Sequence, residues 1–194
     1  HEDLPVFAGT AQRLESVELV PFAAAIAVGV PLVMTAHILL PRIDAERPAS
    51  LSRKLLTEVL RQRMGFQGVI LADDLGMGAI ARRYAAGDAA TAAFAAGSDM
   101  AALCHDWSAV RPAIEAVTKA HERGQFNDAD WQASCARVDT LRGMMHAIDV
   151  VGEGLPSSVL ARPPLDVIGC AEHRALADEI RARIAKLPKG KGRS

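Results

Sequence analysis

The chain has 194 residues, half of them hydrophobic, and a formal net charge of −1. That is enough for one sizeable core, or one domain with an appendage, and the near-neutral balance excludes a general electrostatic pull toward nucleic acid or an anionic membrane. The three cysteines, Cys104, Cys135 and Cys170, are widely spaced and lack a C-x-x-C pattern, which argues against a disulfide framework or zinc site and for a reducing, cytoplasmic compartment.

Residues 12 to 28 place Leu14, Val17, Leu19, Phe22 and Ile26 at helical spacing, so a helix is predicted, with Pro21 near its middle or at a boundary and Gly29 at its end. "PLVMTAHI" reads as a short buried strand, and "PRIDAERPAS" as a loop. Ser50 is the expected cap of the helix "LSRKLLTEVLRQRM", whose stripe is Leu51, Leu55, Leu56, Val59 and Leu60. "FQGVILADD" is the next strand, then a small-residue helix around "DAATAAFAAG", then a third strand, "SDMAALC". Two more helices follow, one from Ser108 as cap to Gly124 as stop and one from Asn127 to Ile148. Residues 150 to 166, rich in Gly, Pro and Ser, read as a linker, and residues 167 to 194 as an amphipathic helix docked on the outside, then a frayed basic tail. No apolar run reaches membrane-spanning length; residues 19 to 40 come closest and are interrupted by Pro21, Gly29, Pro31 and His37.

Strands buried on both faces and alternating with helices mean a parallel sheet with right-handed crossovers. Three such strands leave exposed edges and look like one side of a (β/α) barrel, which takes about 250 residues. Residue 1 is His, not Met, so a processed, excised or fragmentary chain is expected.

In such folds chemistry gathers at the C-terminal ends of the strands. Polar groups stand there in Thr35-Ala36-His37, Asp73-Asp74 and Cys104-His105-Asp106. The adjacent carboxylates Asp73 and Asp74 must be hydrated, paired or used, and their place after "GVIL" favours use. His37 is either a site residue or a core histidine satisfied by a backbone carbonyl. His105 and Asp106 read as a loop before a helix cap, Asp99 as a turn residue at its strand's entry, and Met77 as packing or substrate contact.

"VLRQRMGFQGVILADDLGMGAI" resembles the active-site signature of glycoside hydrolase family three. Val59-Leu60, Arg61, Arg63, Gly68, Val69-Ile70-Leu71 and Asp73 fit that signature in order, while Ala72 replaces the usual Ser or Thr. The doubled aspartate, "VMTAHILLPRIDAERPASLSRKLLTEVLR" and "AGSDMAALCHD" resemble the bacterial β-N-acetylhexosaminidase branch, over about residues 1 to 146. The resemblance implies a TIM-type (β/α)8 barrel and a retaining hydrolase. It would release terminal β-linked N-acetylglucosamine, from peptidoglycan fragments, through a glycosyl-enzyme on Asp73. "HEDLP" matches the branch's acid/base loop, making His1 the proton donor and acceptor. His37, Asp74 and Met77 are the implied substrate-binding positions. No metal or organic cofactor is implied. The branch's Lys-His-Phe-Pro-Gly-His-Gly motif is absent, so the resemblance implies that residues 1–149 are the C-terminal half of the barrel, with the missing first half as an expected partner. Two other readings stand beside this one. Paired aspartates can hold Mg²⁺ for phosphoryl transfer, although no phosphate-cradling loop accompanies them here. Alternatively, the chain is an inactive half-barrel that needs a second chain.

Overall fold

A computed structural model describes residues 3–150 and 169–186. The chain divides into two compact units, His1–His146 and Ala147–Ser194.

The first unit is α/β. Its sheet has three parallel strands, β1 (Leu32–Met34), β4 (Val69–Ala72) and β5 (Met100–Ala101), in the order β1-β4-β5. Leu71 of the central strand lies in register with Met34 on one side and Met100 on the other. Two short helical turns, Ala11–Arg13 and Leu14–Glu18, lead into α1 (Val20–Ala27), with Pro21 in its first turn, where a missing N–H costs nothing. The crossover from β1 to β4 runs through α2 (Lys54–Arg63), wound with wide π-type hydrogen bonds. From β4 to β5 the chain passes through the short α3 (Gly78–Ala81) and α4 (Ala86–Ala96). Then come α5 (Trp107–Glu122) and α6 (Asp128–Val150).

Alternation along the strands separates the two faces of the sheet. Val33 and Ile70 pack with Leu56, Leu60, Phe66 and Ala96, and Ala72 packs with Leu51, Ala89 and Ala93, so this face carries the helices. On the other face the row Met34, Leu71, Met100 has little cover: Met34 is 54 % and Met100 37 % exposed. Helix α4 is built from alanines, and its buried Ala89, Ala93 and Ala96 let it lie close to the sheet. Gly97 ends it with φ 109°, and a Cβ there would meet Thr57 Oγ1 at 2.6 Å. Gly68 is required before β4, because a Cβ would come within 2.4 Å of the Pro31 carbonyl.

Several expectations need correction. "PRIDAERPAS" is not a plain loop: β2 (Leu39–Leu40) and β3 (Asp44–Pro48) pair antiparallel across a hairpin. Ser50 does not cap α2; it lies in a buried 3₁₀ turn, Ala49–Leu51. The hydroxyl that reaches the first-turn N–H of Leu55 belongs to Ser52, at 3.4 Å. Helix α5 is capped by Asp106, not Ser108. Hydrogen bonds from the Ser108 N–H and hydroxyl hold the Asp106 carboxyl below its ordinary range.

In the second unit α7 (Ala171–Ala185) carries the ion pairs Arg181–Asp178 and Arg183–Glu179 along an exposed surface. Apart from Val150, which ends α6, the predicted linker 150–166 lies outside the described residues, and so does the basic tail from residue 187.

Candidate active site

The strand ladder continues past the formal ends of its strands, and this delivers the candidate residues. The Thr35 N–H donates to the Leu71 carbonyl at 2.9 Å, and the Ala102 N–H to that of Ala72 at 3.0 Å. The Leu75 N–H then reaches the Ala102 carbonyl at 2.9 Å. Residues 73 to 75 are thereby held between the chains leaving β1 and β5.

Asp74 organises that turn. It is 5 % exposed, and alternation puts it on the helix-covered face with Ala72. Its Oδ1 accepts the N–H of Gly76 at 2.9 Å and, across the sheet, that of Cys104 at 3.0 Å. Its carbonyl accepts the Met77 N–H at 3.0 Å and the His37 Nε2–H at 2.9 Å. A carbonyl only accepts, so His37 carries its proton on Nε2, and Nδ1 is free to accept the Ser50 hydroxyl at 2.6 Å. Asp74 Oδ2 is buried without a hydrogen-bond partner. His105 Nε2 stands 3.6 Å from it, on a side chain 85 % exposed.

Asp73 differs from its neighbour. It is half-buried, and alternation sends it to the open face in line with Leu71. One of its oxygens accepts the Asp74 N–H at 2.8 Å, which fixes the carboxylate without enclosing it.

The structure therefore brings His37, Asp73, Asp74 and Met77 to one turn. His37 is 4 % exposed with both ring nitrogens bonded to protein. Met77, half-buried, stands just before α3 and closes the turn through its N–H. His1 lies outside the described residues. The segment just after it is tied to this end of the sheet: the Leu39 N–H donates to the Pro5 carbonyl at 2.9 Å and the Phe7 N–H to that of Leu39 at 2.8 Å. Ser50, read from the sequence as a helix cap, proves to be the partner of His37. No local signal separated it from Ser52, because the partner of Ser50 lies 13 residues away. Among the described residues no group of three or more His, Cys, Asp or Glu gathers as metal ligands.

At the opposite end of the strands Asp99 does structural work. Its Oδ2 accepts the Ile70 N–H at 2.8 Å and Arg61 Nη2 at 2.7 Å, and its Oδ1 accepts Nε and Nη2 of Arg137 at 3.1 and 2.7 Å. Arg61 also donates to the carbonyls of Phe66 and Gly68, both at 2.7 Å. Burial pushes the Arg61 guanidinium below its ordinary value; Asp99 opposes that shift and Arg137 adds to it.

Residues 1–141 match the family described as "Glycosyl hydrolase family 3 N terminal domain". A β-hexosaminidase of Xylella fastidiosa strain M23 is 41 % identical over 117 residues, 60 % of this chain and 34 % of that protein. A β-hexosaminidase of Pseudomonas aeruginosa strain PAO1 is 38 % identical over 122 residues, 61 % of this chain and 35 % of its own length. Among solved structures, a family 3 β-N-acetylglucosaminidase from Paenibacillus sp. FPU-7 superposes with a TM-score of 0.71 at 35 % identity, covering 74 % of this chain and 27 % of that one. The β-N-acetylglucosaminidase of Thermotoga maritima gives a TM-score of 0.66 at 29 % identity, covering 72 % and 31 %. The chain thus spans about a third of the length of the curated relatives it matches. With a family match over most of its first unit and a strand-end aspartate pair at the centre of the sheet, the chain belongs to the glycosyl hydrolase family 3 N-terminal domain family.

Proposed function

We propose that the chain is the C-terminal half of the catalytic (β/α)8 barrel of a cytoplasmic, retaining β-N-acetylhexosaminidase. Its substrate would be a terminal β-linked N-acetylglucosamine on peptidoglycan fragments. The observation that carries the proposal is the contrast between the two aspartates. Asp74 is consumed by the turn, whereas Asp73 is positioned by one hydrogen bond and left on the open face of the sheet.

In a retaining mechanism one group attacks the anomeric carbon while another protonates the departing oxygen and later deprotonates water. Asp73 is the nucleophile: a short side chain on a fixed strand end has little freedom to lose on reaching the sugar. His1 is the acid/base, since an imidazole titrates near working pH, with an ordinary value of about 6.5. The tie between Pro5 and Leu39 supports this role, because it holds a residue four positions after His1 beside the chain that leaves β1. Asp74 and His37 hold the turn, and Met77 borders the sugar. No metal or organic cofactor takes part.

The open face supports the half-barrel reading. A row of Met34, Leu71 and Met100 suits the interior of a closed barrel and is poorly suited to water. The isolated chain is accordingly inactive and pairs with the remaining strands of the barrel. The test is to join or mix this chain with the first half of a family 3 β-N-acetylhexosaminidase. Hydrolysis of an aryl β-N-acetylglucosaminide should appear and vanish with Asp73→Asn. Full activity of the 194-residue chain alone, or activity that survives Asp73→Asn, would refute the assignment.

A further inference from the structure

Asp74 carries an oxygen that the turn does not use. Its Oδ1 accepts the N–H groups of Gly76 and Cys104, whereas Oδ2 has no hydrogen-bond partner among the described residues and almost no surface open to water. Buried polar atoms are ordinarily satisfied, and an unmet acceptor costs most on a charged group. His105 Nε2 stands 3.6 Å from this oxygen, just beyond hydrogen-bond length. A hydrogen bond from a ring N–H to a carboxylate is about 2.7–2.9 Å long, so the imidazole needs to move by less than about 1 Å to make one.

The loop between β5 and α5 is anchored on both sides of His105. Before it, the Ala102 carbonyl accepts the Leu75 N–H at 2.9 Å, and the Cys104 N–H is held by Asp74 itself at 3.0 Å. After it, the Asp106 carboxyl accepts the Ser108 N–H at 2.9 Å and caps α5. The backbone at His105 is thus fixed beside the aspartate turn, while its exposed side chain can change rotamer without disturbing packing.

We propose that His105 is a positioning residue for the reaction: its Nε2–H closes onto Asp74 Oδ2 and locks the turn that carries Asp73. This rests on the glycosidase reading above. The route to the nucleophile is short. The Asp74 N–H is the group that fixes the Asp73 carboxylate, at 2.8 Å. With its side chain tied through both oxygens, Asp74 holds that N–H in one orientation, and small misplacements of a reacting group cost rate. His105 touches neither sugar nor Asp73 in this role.

The test joins this chain to the first half of a family 3 β-N-acetylhexosaminidase and follows an aryl β-N-acetylglucosaminide. His105→Ala and His105→Phe should each lower kcat about tenfold, with KM moving less than about threefold. His105→Gln, which returns an N–H donor of similar reach, should recover most of the loss. In an Asp74→Asn background an amide N–H takes the place of the unmet oxygen, and His105→Ala should change kcat less than about twofold. The same pair of substitutions, read by urea unfolding of the 194-residue chain, needs no activity; non-additivity of about threefold or more in the unfolding equilibrium constant is expected. Recovery by Phe and not by Gln would mean that only the bulk of the ring matters, and would overturn the proposal. So would additive effects in both measurements, or an Asp73-dependent activity indifferent to His105→Ala. Activity that survives Asp73→Asn, or none in the joined chain, would instead remove the glycosidase reading, and the role of His105 with it.

Discussion

The Nε2–H of His37 donates to the backbone carbonyl of Asp74 across a 37-residue separation in sequence, at 2.9 Å. The chain leaving β1 thus sets the backbone one residue beyond Asp73. The same ring takes the Ser50 hydroxyl on its other side, so one buried imidazole joins the end of β1, the hairpin's far end and the aspartate turn.

His37→Ala should therefore act on the turn. It removes two hydrogen bonds, leaves the Ser50 hydroxyl and one side of the Asp74 carbonyl unmatched, and opens a void in a site only 4 % exposed. A loss of about 2–4 kcal/mol is expected in denaturant unfolding. In a chain of the relatives' full length, kcat should fall more than KM rises, because the backbone of the proposed nucleophile, Asp73, shifts. A variant of unchanged stability would show that the two bonds hold nothing.

The two aspartates should separate by the kind of damage they cause. Asp73→Asn keeps the shape and can still accept the Asp74 N–H; it should leave the fold intact and abolish turnover. Asp74→Asn keeps one oxygen for the Gly76 and Cys104 N–H groups and should be milder. Asp74→Ala orphans both donors and should cost about 2–4 kcal/mol. Unfolding curves beside rates on an activated aryl substrate decide this. If Asp74→Asn is the more damaging to activity, the roles are reversed.

The order of the parallel strands and their helices was legible because each of those strands is a short apolar run leading to Asp or His, and α1, α2, α4 and α5 are each closed by a Gly with positive φ. Gly97 shows why that punctuation was reliable: its positive φ and its closeness to Thr57 leave room for no other residue. The hairpin was not legible. Leu39–Leu40 and Asp44–Pro48 pair over a register irregularity, and β3 ends in proline, a pattern without period-two alternation. Capping was misread for a related reason. In "PASLS" two serines stand two residues apart, and only tertiary contacts decide that Ser50 serves His37 while Ser52 serves Asp44 and α2. At the site, the family resemblance already gave Asp73 and Asp74 different roles, but sequence alone did not show how deeply each is buried. The pleat divided them, one to each face.

Asp99 should be the most sensitive residue at the other end of the sheet. Its carboxylate is shared by two partly buried guanidiniums and accepts an N–H from β4. Asp99→Ala leaves like charges facing each other, and about 3–5 kcal/mol should be lost, as when one member of a buried ion pair is removed. Arg137→Ala leaves Arg61 and Asp99 paired and should cost less. Equal losses in the two variants, measured by thermal unfolding at one pH, would show that the two arginines do not share the charge.

The last expectation concerns acid. Burial alone would raise the Asp44 carboxyl, but the Ser52 hydroxyl, the N–H groups of Glu46 and Arg47, and the charge of Lys54 together hold it below its ordinary value. A carboxyl depressed on folding binds its proton more readily in the unfolded chain. Its contribution to stability is thus complete above the unfolded value, about 3.9 for Asp, and is lost as pH falls through the lower folded value. Ser52→Ala removes the shortest of its hydrogen bonds, 2.6 Å. The variant should be less stable near neutral pH by about 1.5–3 kcal/mol, the usual worth of a hydrogen bond to a charged group. The gap to wild type should narrow as pH falls through the folded value, because Asp44 is then protonated in both proteins and its depressed titration no longer favours either. Urea midpoints at a series of pH values from neutral to the acid limb test this directly. Two curves that stay parallel to the lowest pH would mean that the Ser52 hydroxyl contributes packing alone and that Asp44 titrates independently of it.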